Sequence, residues 1–323
     1  MKRVARVLAI AGLALAAALF AHENMTRIAL LVAGAIPGLL LAASFHIVPM
    51  LTNALAWQWL FPQATRPGLR VLLNAVWIRE SVNGVLPVAR VGGEIAAYRV
   101  LRRDVASRAA VAASLAADVA LSVLSQSAFA LLGLAMLVVA GHGGAFTREL
   151  ALGAAAMLAA GGALLLAQRV GALASIAGVA ERLFSGRLRS ARARSLRIDR
   201  ALRDVHARHR DVVTCVVLQF AAWVVSAGET WLALHFLGAP RSVHEAIAIE
   251  ATVQAINSVA FVVPAAIGVQ EGAFVLIGGV LGLDATTALA LAAARRLRDV
   301  VFYVPGLVAW HRAERAATTH RHA

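Results

Sequence analysis

Two carboxylates, Glu94 and Glu271, stand 177 positions apart in matching surroundings inside apolar sequence. The first stretch, Ser81 to Ala96, carries Pro87, Arg90, Gly92, Gly93 and Glu94. The second, Ser258 to Ala273, carries Pro264, Gly268 and Glu271. Without gaps, Ser81/Ser258, Val82/Val259, Val85/Val262, Pro87/Pro264, Ala89/Ala266, Glu94/Glu271 and Ala96/Ala273 coincide. The Val and Ala matches carry little weight in so apolar a chain. The Ser, Pro and Glu matches at fixed spacing mark an internal repeat. Proline removes a backbone donor and glycine tolerates unusual dihedrals. Pro87 with Gly92 and Gly93, and Pro264 with Gly268, are therefore expected to break each stretch into a hairpin. Glu94 and Glu271 would then open the second half-helix, where the peptide dipoles favour a carboxylate. A carboxylate at broken backbone within a membrane suits binding of a cationic group or carriage of a proton. The simpler reading is a pair of helix-capping carboxylates near the interface.

Opposite charge lies further on, in Arg295-Arg296-Leu297-Arg298-Asp299. The apolar runs on either side are about eleven residues long, and neither crosses a bilayer alone. If residues 286–310 form one helix, these charges fall near its middle. An unpaired arginine there costs about 2.5–3.5 kcal/mol on insertion scales, so partners or water must face it. Arg295 and Asp299 are spaced to pair with each other, which leaves Arg296 and Arg298 for Glu271, Glu94 or an anionic ligand. The competing reading is snorkelling at an interfacial boundary. Ser114, Asp118, Ser122 and Ser125 form one stripe of a helix over 109–140, with Gln126 beside it. Asp118 is expected to be a counter-charge; at the repeat offset it corresponds to Arg295. Arg90, just before Gly92, is a candidate phosphate contact or a loop-tip charge in water. His46, Asn53, Gln58, Glu229, Glu250 and Gln254 are further polar positions that no pattern ranks.

The elements that must hold these residues are membrane helices. The chain has 323 residues, 60% hydrophobic and 15% charged, with a mean hydropathy of +0.76. That excludes an ordinary soluble domain and predicts an all-α polytopic membrane protein. About six full spans plus two re-entrant hairpins are expected, in one integral membrane domain over 1–323. Apolar segments fall at 4–22, 28–60, 109–140, 149–168, 212–237 and 286–310. The first also resembles a signal peptide, although Leu19 suits a cleavage site poorly. Trp57 and Trp59 read as interfacial anchors.

The net charge of +14 lies mainly between the spans, as in cytoplasmic loops facing anionic headgroups, and this argues against nucleic acid. The Arg-rich connection 169–210 reads as a solvated, partly helical cytoplasmic loop, with both termini on the same side. His206 and His209 lie in it and read as solvated. The single cysteine, Cys215, excludes a disulfide framework, and no histidine spacing suggests a metal. No cofactor is expected. Three full spans separate the hairpins, so they dip in from opposite faces. Halves of about 28–140 and 205–317 then form an inverted repeat of the kind that supports alternating access.

Glu80-Ser81-Val82-Asn83-x3-Pro87-x4-Gly92-Gly93-Glu94, together with Pro264-x3-Gly268-x2-Glu271-Gly272, resembles the flippase-like membrane proteins related to the transmembrane half of lysylphosphatidylglycerol synthase. The closest branch looks like the membrane protein L family associated with hopanoid biosynthesis. The resemblance implies a bacterial inner-membrane protein that handles a lipid, with Glu94 and Glu271 at the motif positions. No stretch after residue 310 matches the synthase's soluble aminoacyl-transfer domain, so lipid aminoacylation is not expected. The leading expectation is a lipid translocator rather than an enzyme. Arg298, Arg296 and Arg90 would hold a phosphate or other acidic group. Glu94, Glu271 and Asp118 would neutralise arginines or carry a proton. The alternatives are a membrane-embedded lipid-modifying enzyme, for which no nucleophile or metal constellation appears, and a scaffold that gathers lipid-synthesis enzymes through the Arg-rich segment.

Overall fold

The computed structural model describes residues 2–86, 91–142, 144–172, 189–259 and 263–322. Among them the chain is helical, as a backbone in lipid must be to satisfy its own polar groups. Helix α1 spans Lys2–His22, α2 Met25–Ser44, α3 Ile47–Gln58, α4 Leu69–Val85, α5 Val91–Asp104 and α6 Arg108–Val139. Then come α7 Ala145–Arg169, α8 Arg189–Ala207, α9 His209–Phe236, α10 Val243–Val259, α11 Val269–Val280 and α12 Ala285–His322.

Four stretches are long and apolar enough to cross a membrane: Met25–Gln58, Arg108–Val139, Thr147–Arg169 and His209–Phe236. The chain is thus a helical membrane protein. Residues 28–60 do not form one uninterrupted helix; a turn at Phe45 and His46 separates α2 from α3. Residues 286–310 lie within α12, whose central charges keep it out of the apolar set.

The two motif regions fold as packed helix pairs, α4 with α5 and α10 with α11. α6 begins at Arg108 and α12 at Ala285, 177 positions later. α12 lies against α4, α6 lies against α10, and α3 lies against α9. One apolar core gathers Leu39, Leu234, Ile249, Phe274 and Leu289, and another gathers Trp57, Leu72, Leu101, Leu121 and Leu202.

Several expectations need correction. Gly92 and Gly93 sit inside the first turn of α5 rather than at the break. Gly93 is needed for contact instead: a β-carbon there would lie 2.4 Å from the Arg79 carbonyl oxygen, and its N–H donates to Asn83 Oδ1 at 2.8 Å. Pro87 and Arg90 lie outside the described residues. In the second pair the break falls where expected. Pro264 opens a 3-10 turn, Ala265 and Ala266 take φ of 52° and 48°, and Gly268 takes φ +80° ahead of α11. Left-handed alanines are rare and mark a backbone held by its surroundings. Trp57 is fully buried, not interfacial. Part of the Arg-rich segment, Arg189–Ala207, is a helix docked on α6 and α7, with Asp199, Leu202, Val205 and His206 buried. His206 is therefore not solvated and pairs with Gln168 at 3.1 Å. Burial and the nearby Arg169 charge lower its pKa.

Candidate functional site

A cavity of about 260 Å³ opens between α3, α4, α9, α10 and α12, with residues of the second break at its rim. His46, Arg79, Glu80, Glu250, Arg295, Arg296, Arg298 and Asp299 line it, so residues far apart in the sequence contribute. Such a concentration of charge among apolar helices is tolerated when every group has a partner.

The Arg295 guanidinium ion-pairs with Glu250 and donates to Thr230 Oγ1 at 3.0 Å. Thr230 in turn donates to Glu250 at 2.6 Å, and Glu229 lies 3.8 Å from the Arg295 Nε. These groups are almost wholly buried, with Glu250 at 0% exposure. Arg298 reaches Glu229 at 3.4 Å, Asp299 beside it, and Tyr303 at 3.3 Å. The expected Arg295–Asp299 pair is thus replaced. Arg295 turns to Glu250 on α10, and Asp299 is taken by Arg298 and by Arg296 at 3.6 Å. Helical spacing permits the local pair, but full burial favours the partner that can also be closed off by a hydroxyl.

Arg296 follows the sequence reading. Its Nε donates to Glu271 Oε1 at 2.8 Å, and its Nη1 donates to the Ala265 carbonyl at 2.8 Å. Glu271 is also the cap of α11, accepting the Gly268 N–H at 2.7 Å. One carboxylate therefore fulfils the capping role and the ion-pair role together. Glu94 holds the equivalent place in the first turn of α5, 3.8 Å from Arg79. Arg79 forms its closest ion pair with Asp118, and its guanidinium lies 4.8 Å over the Trp57 ring. Asp118 is thus a counter-charge, to Arg79 on α4. Gln219 donates to its other oxygen at 2.8 Å. Ser114, Ser125 and Gln126 are buried along the same face of α6.

Four arginines in this region face seven carboxylates: Glu80, Glu94, Asp118, Glu229, Glu250, Glu271 and Asp299. The guanidiniums already have acidic partners, so an anionic headgroup would have to displace one. The replaceable contacts are those nearest water, around Arg296, Asp299 and Glu80, whose side chains are 28%, 18% and 23% exposed. Sequence reasoning gave no rank to His46, Glu229 and Glu250, and did not single out Arg79. The signal was present in Glu229, which sits within an apolar helix. Three arginines in the middle of α12 demand such carboxylates from neighbouring helices. Among the described residues no group of histidine, cysteine and carboxylate side chains is arranged to hold a metal.

No curated protein and no solved structure gives a significant match to the chain. The family described as the lysylphosphatidylglycerol synthase TM region matches residues 4–306. With nearly its whole length matched, the chain belongs to the lysylphosphatidylglycerol synthase TM region family.

Proposed function

We propose that this protein is a lipid translocator of the bacterial inner membrane, moving a lipid with a polar or anionic headgroup between leaflets. The family supports a lipid-related membrane function. The observation that carries the reading is the charged cavity shared by both halves. A headgroup crossing the bilayer loses its water, and an array of guanidiniums and carboxylates at that depth offers replacement contacts. The packed pairs support a re-entrant arrangement: α4, α5, α10 and α11 have 17, 14, 17 and 12 residues. At 1.5 Å per residue all four are shorter than the ~30 Å hydrocarbon core. The reciprocal packing of α12 on α4 and α6 on α10 supports a two-fold arrangement of the repeats, which we take as inverted.

In this reading the headgroup enters where Arg296, Asp299 and Glu80 meet water, and its acidic group exchanges places with a carboxylate at Arg296 or Arg298. Glu271 and Glu94 return to the arginines when the lipid leaves. The deeper Arg295–Glu250 pair stays closed and fixes α12 against α10. A link to hopanoid or other lipid-modification pathways belongs to the same proposal, as does an association with lipid-synthesis enzymes.

The test is purified protein in liposomes carrying fluorescent phospholipids, with transbilayer movement read by dithionite quenching. Wild-type protein should accelerate movement, and Glu271→Gln and Arg296→Gln should abolish it while the protein remains monodisperse. Movement at the wild-type rate in both variants would sink the assignment of this cavity as the pathway. Product formation from lipid precursors by the purified protein would instead favour an enzyme.

A further inference from the structure

His46 occupies the turn between α2 and α3, and it is 8% exposed beside the cavity. Its Nε2 lies 3.2 Å from Glu80 Oε2 on α4. Its Nδ1 lies 3.3 Å from Glu229 Oε2 on α9 and 3.5 Å from Arg298 Nη1 on α12. The ring stands edge-on to Phe302 and Tyr303, with centroids 5.2 and 6.4 Å away. One step out, Arg295 lies 3.8 Å from Glu229, and Asp299 pairs with Arg298.

Both protonation states of the imidazole find partners already in place. The neutral ring has one donor and one acceptor. Donating from Nε2 to Glu80, it offers Nδ1 to Arg298, and Glu229 is left to the arginines. The imidazolium has two donors, and Glu80 and Glu229 stand where both are needed. Arg298 then loses its ring acceptor and keeps Glu229, Asp299 and Tyr303. Adding the proton therefore changes which groups tie α3 and α4 of the first half to α9 and α12 of the second.

The other candidates lack this property. Asp118, Glu94 and Glu271 face Arg79 or Arg296, whose charge is permanent. A proton on any of them breaks an ion pair and supplies no replacement. His46 exchanges one partner for another.

We propose that His46 is a proton-binding site at the junction of the two halves, and that it couples lipid movement to a proton gradient. The coupling rests on the translocator reading; the proton site does not. The proton arrives from cavity water, bonds to Nδ1 and leaves from the same atom, with no other covalent bond made or broken.

Two measurements test this. In nanodiscs, nitrogen-15 histidine NMR of the intact protein, assigned by the signal lost in His46→Gln, should show the ring titrating between about pH 5 and pH 8. Glu229→Gln should move that transition. A ring that keeps one protonation state across the range overturns the site. In proteoliposomes, one proton per lipid and one pH unit sustain a transbilayer lipid ratio of about tenfold. Wild-type protein should approach that ratio, and His46→Gln should reduce it to unity in vesicles followed until their lipid has equilibrated, whatever its change in rate. An unchanged ratio in His46→Gln, or gradient-independent movement in the wild type, overturns the coupling and leaves the translocator standing. Absence of lipid movement in the wild type sinks the translocator and the coupling together, and the NMR titration decides the proton site by itself.

Discussion

The Arg295–Glu250–Thr230 group illustrates why charges in lipid come as closed sets. Each member satisfies another, and none is more than 6% exposed. Removing one partner leaves a buried charge uncompensated, which costs about 3–5 kcal/mol. Glu250→Gln and Arg295→Met should each lose stability on that scale in thermal unfolding in detergent. The double variant Arg295→Met with Glu250→Leu should recover most of the loss, because neither charge is then stranded. Arg296 is different, since it is partly exposed and ties Glu271 to the carbonyl of Ala265. Lysine keeps the charge but not the forked donors. Arg296→Lys should leave melting nearly unchanged and slow lipid movement, with the split between the two readouts marking a site that works rather than one that only holds.

At the scale of elements, close approach between α4 and α12 depends on small residues. A β-carbon at Gly306 would lie 2.0 Å from Ser81 Oγ, and one at Gly84 would meet the Tyr303 ring at 2.5 Å. Trp77 Nε1 donates to the Phe302 carbonyl at 2.7 Å, close to Pro305, which interrupts the hydrogen bonding of α12. Gly306→Ala should destabilise by about 1–3 kcal/mol through overpacking. Ser81→Gly in the same chain should restore part of the loss, read by the melting temperature of each variant. The start of α12 carries a separate device. Asp284 accepts the Thr287 N–H at 3.0 Å and its hydroxyl at 2.7 Å. Burial pushes the Asp284 carboxyl up, but the Thr287 hydrogen bonds outweigh it and hold the group below its ordinary range. A carboxyl lowered by folding stabilises above its unfolded pKa of about 3.9, and that contribution is lost as pH falls through the folded value. Asp284→Ala should cost about 1 kcal/mol at neutral pH, and Asp284→Asn should preserve the cap while removing its acid sensitivity.

For the whole molecule, the arrangement of charge between spans sets orientation. The Arg-rich segment and both termini are proposed to lie on the cytoplasmic side, and the turns around Gly141 and Gly238 on the other. Reporter fusions should read cytoplasmic at the C-terminus and periplasmic when inserted at 141–144 or 238–240. A periplasmic signal from the C-terminus would reverse the topology. Arg208 links the Arg-rich side to the bundle, donating to the carbonyls of Leu60 and Phe61 at 2.7 and 3.0 Å and pairing with Asp211 at 2.8 Å. It supplies the end of the α3 region with donors that the helix itself lacks.

The membrane-helix class, most helix bounds and the need to neutralise Arg295, Arg296 and Arg298 were legible from residue types alone. Hydropathy and spacing act locally, and an arginine in an apolar helix demands a partner wherever the chain runs. Which carboxylate answers each arginine was settled by tertiary packing. Arg295 ignores Asp299 one turn away and takes Glu250, and Asp118 meets Arg79 across α4. His46 gains its meaning when α4, α9 and α12 bring Glu80, Glu229 and Arg298 around one ring. No pattern within a single helix encodes such a meeting, because it depends on how helices distant in the chain cross in space.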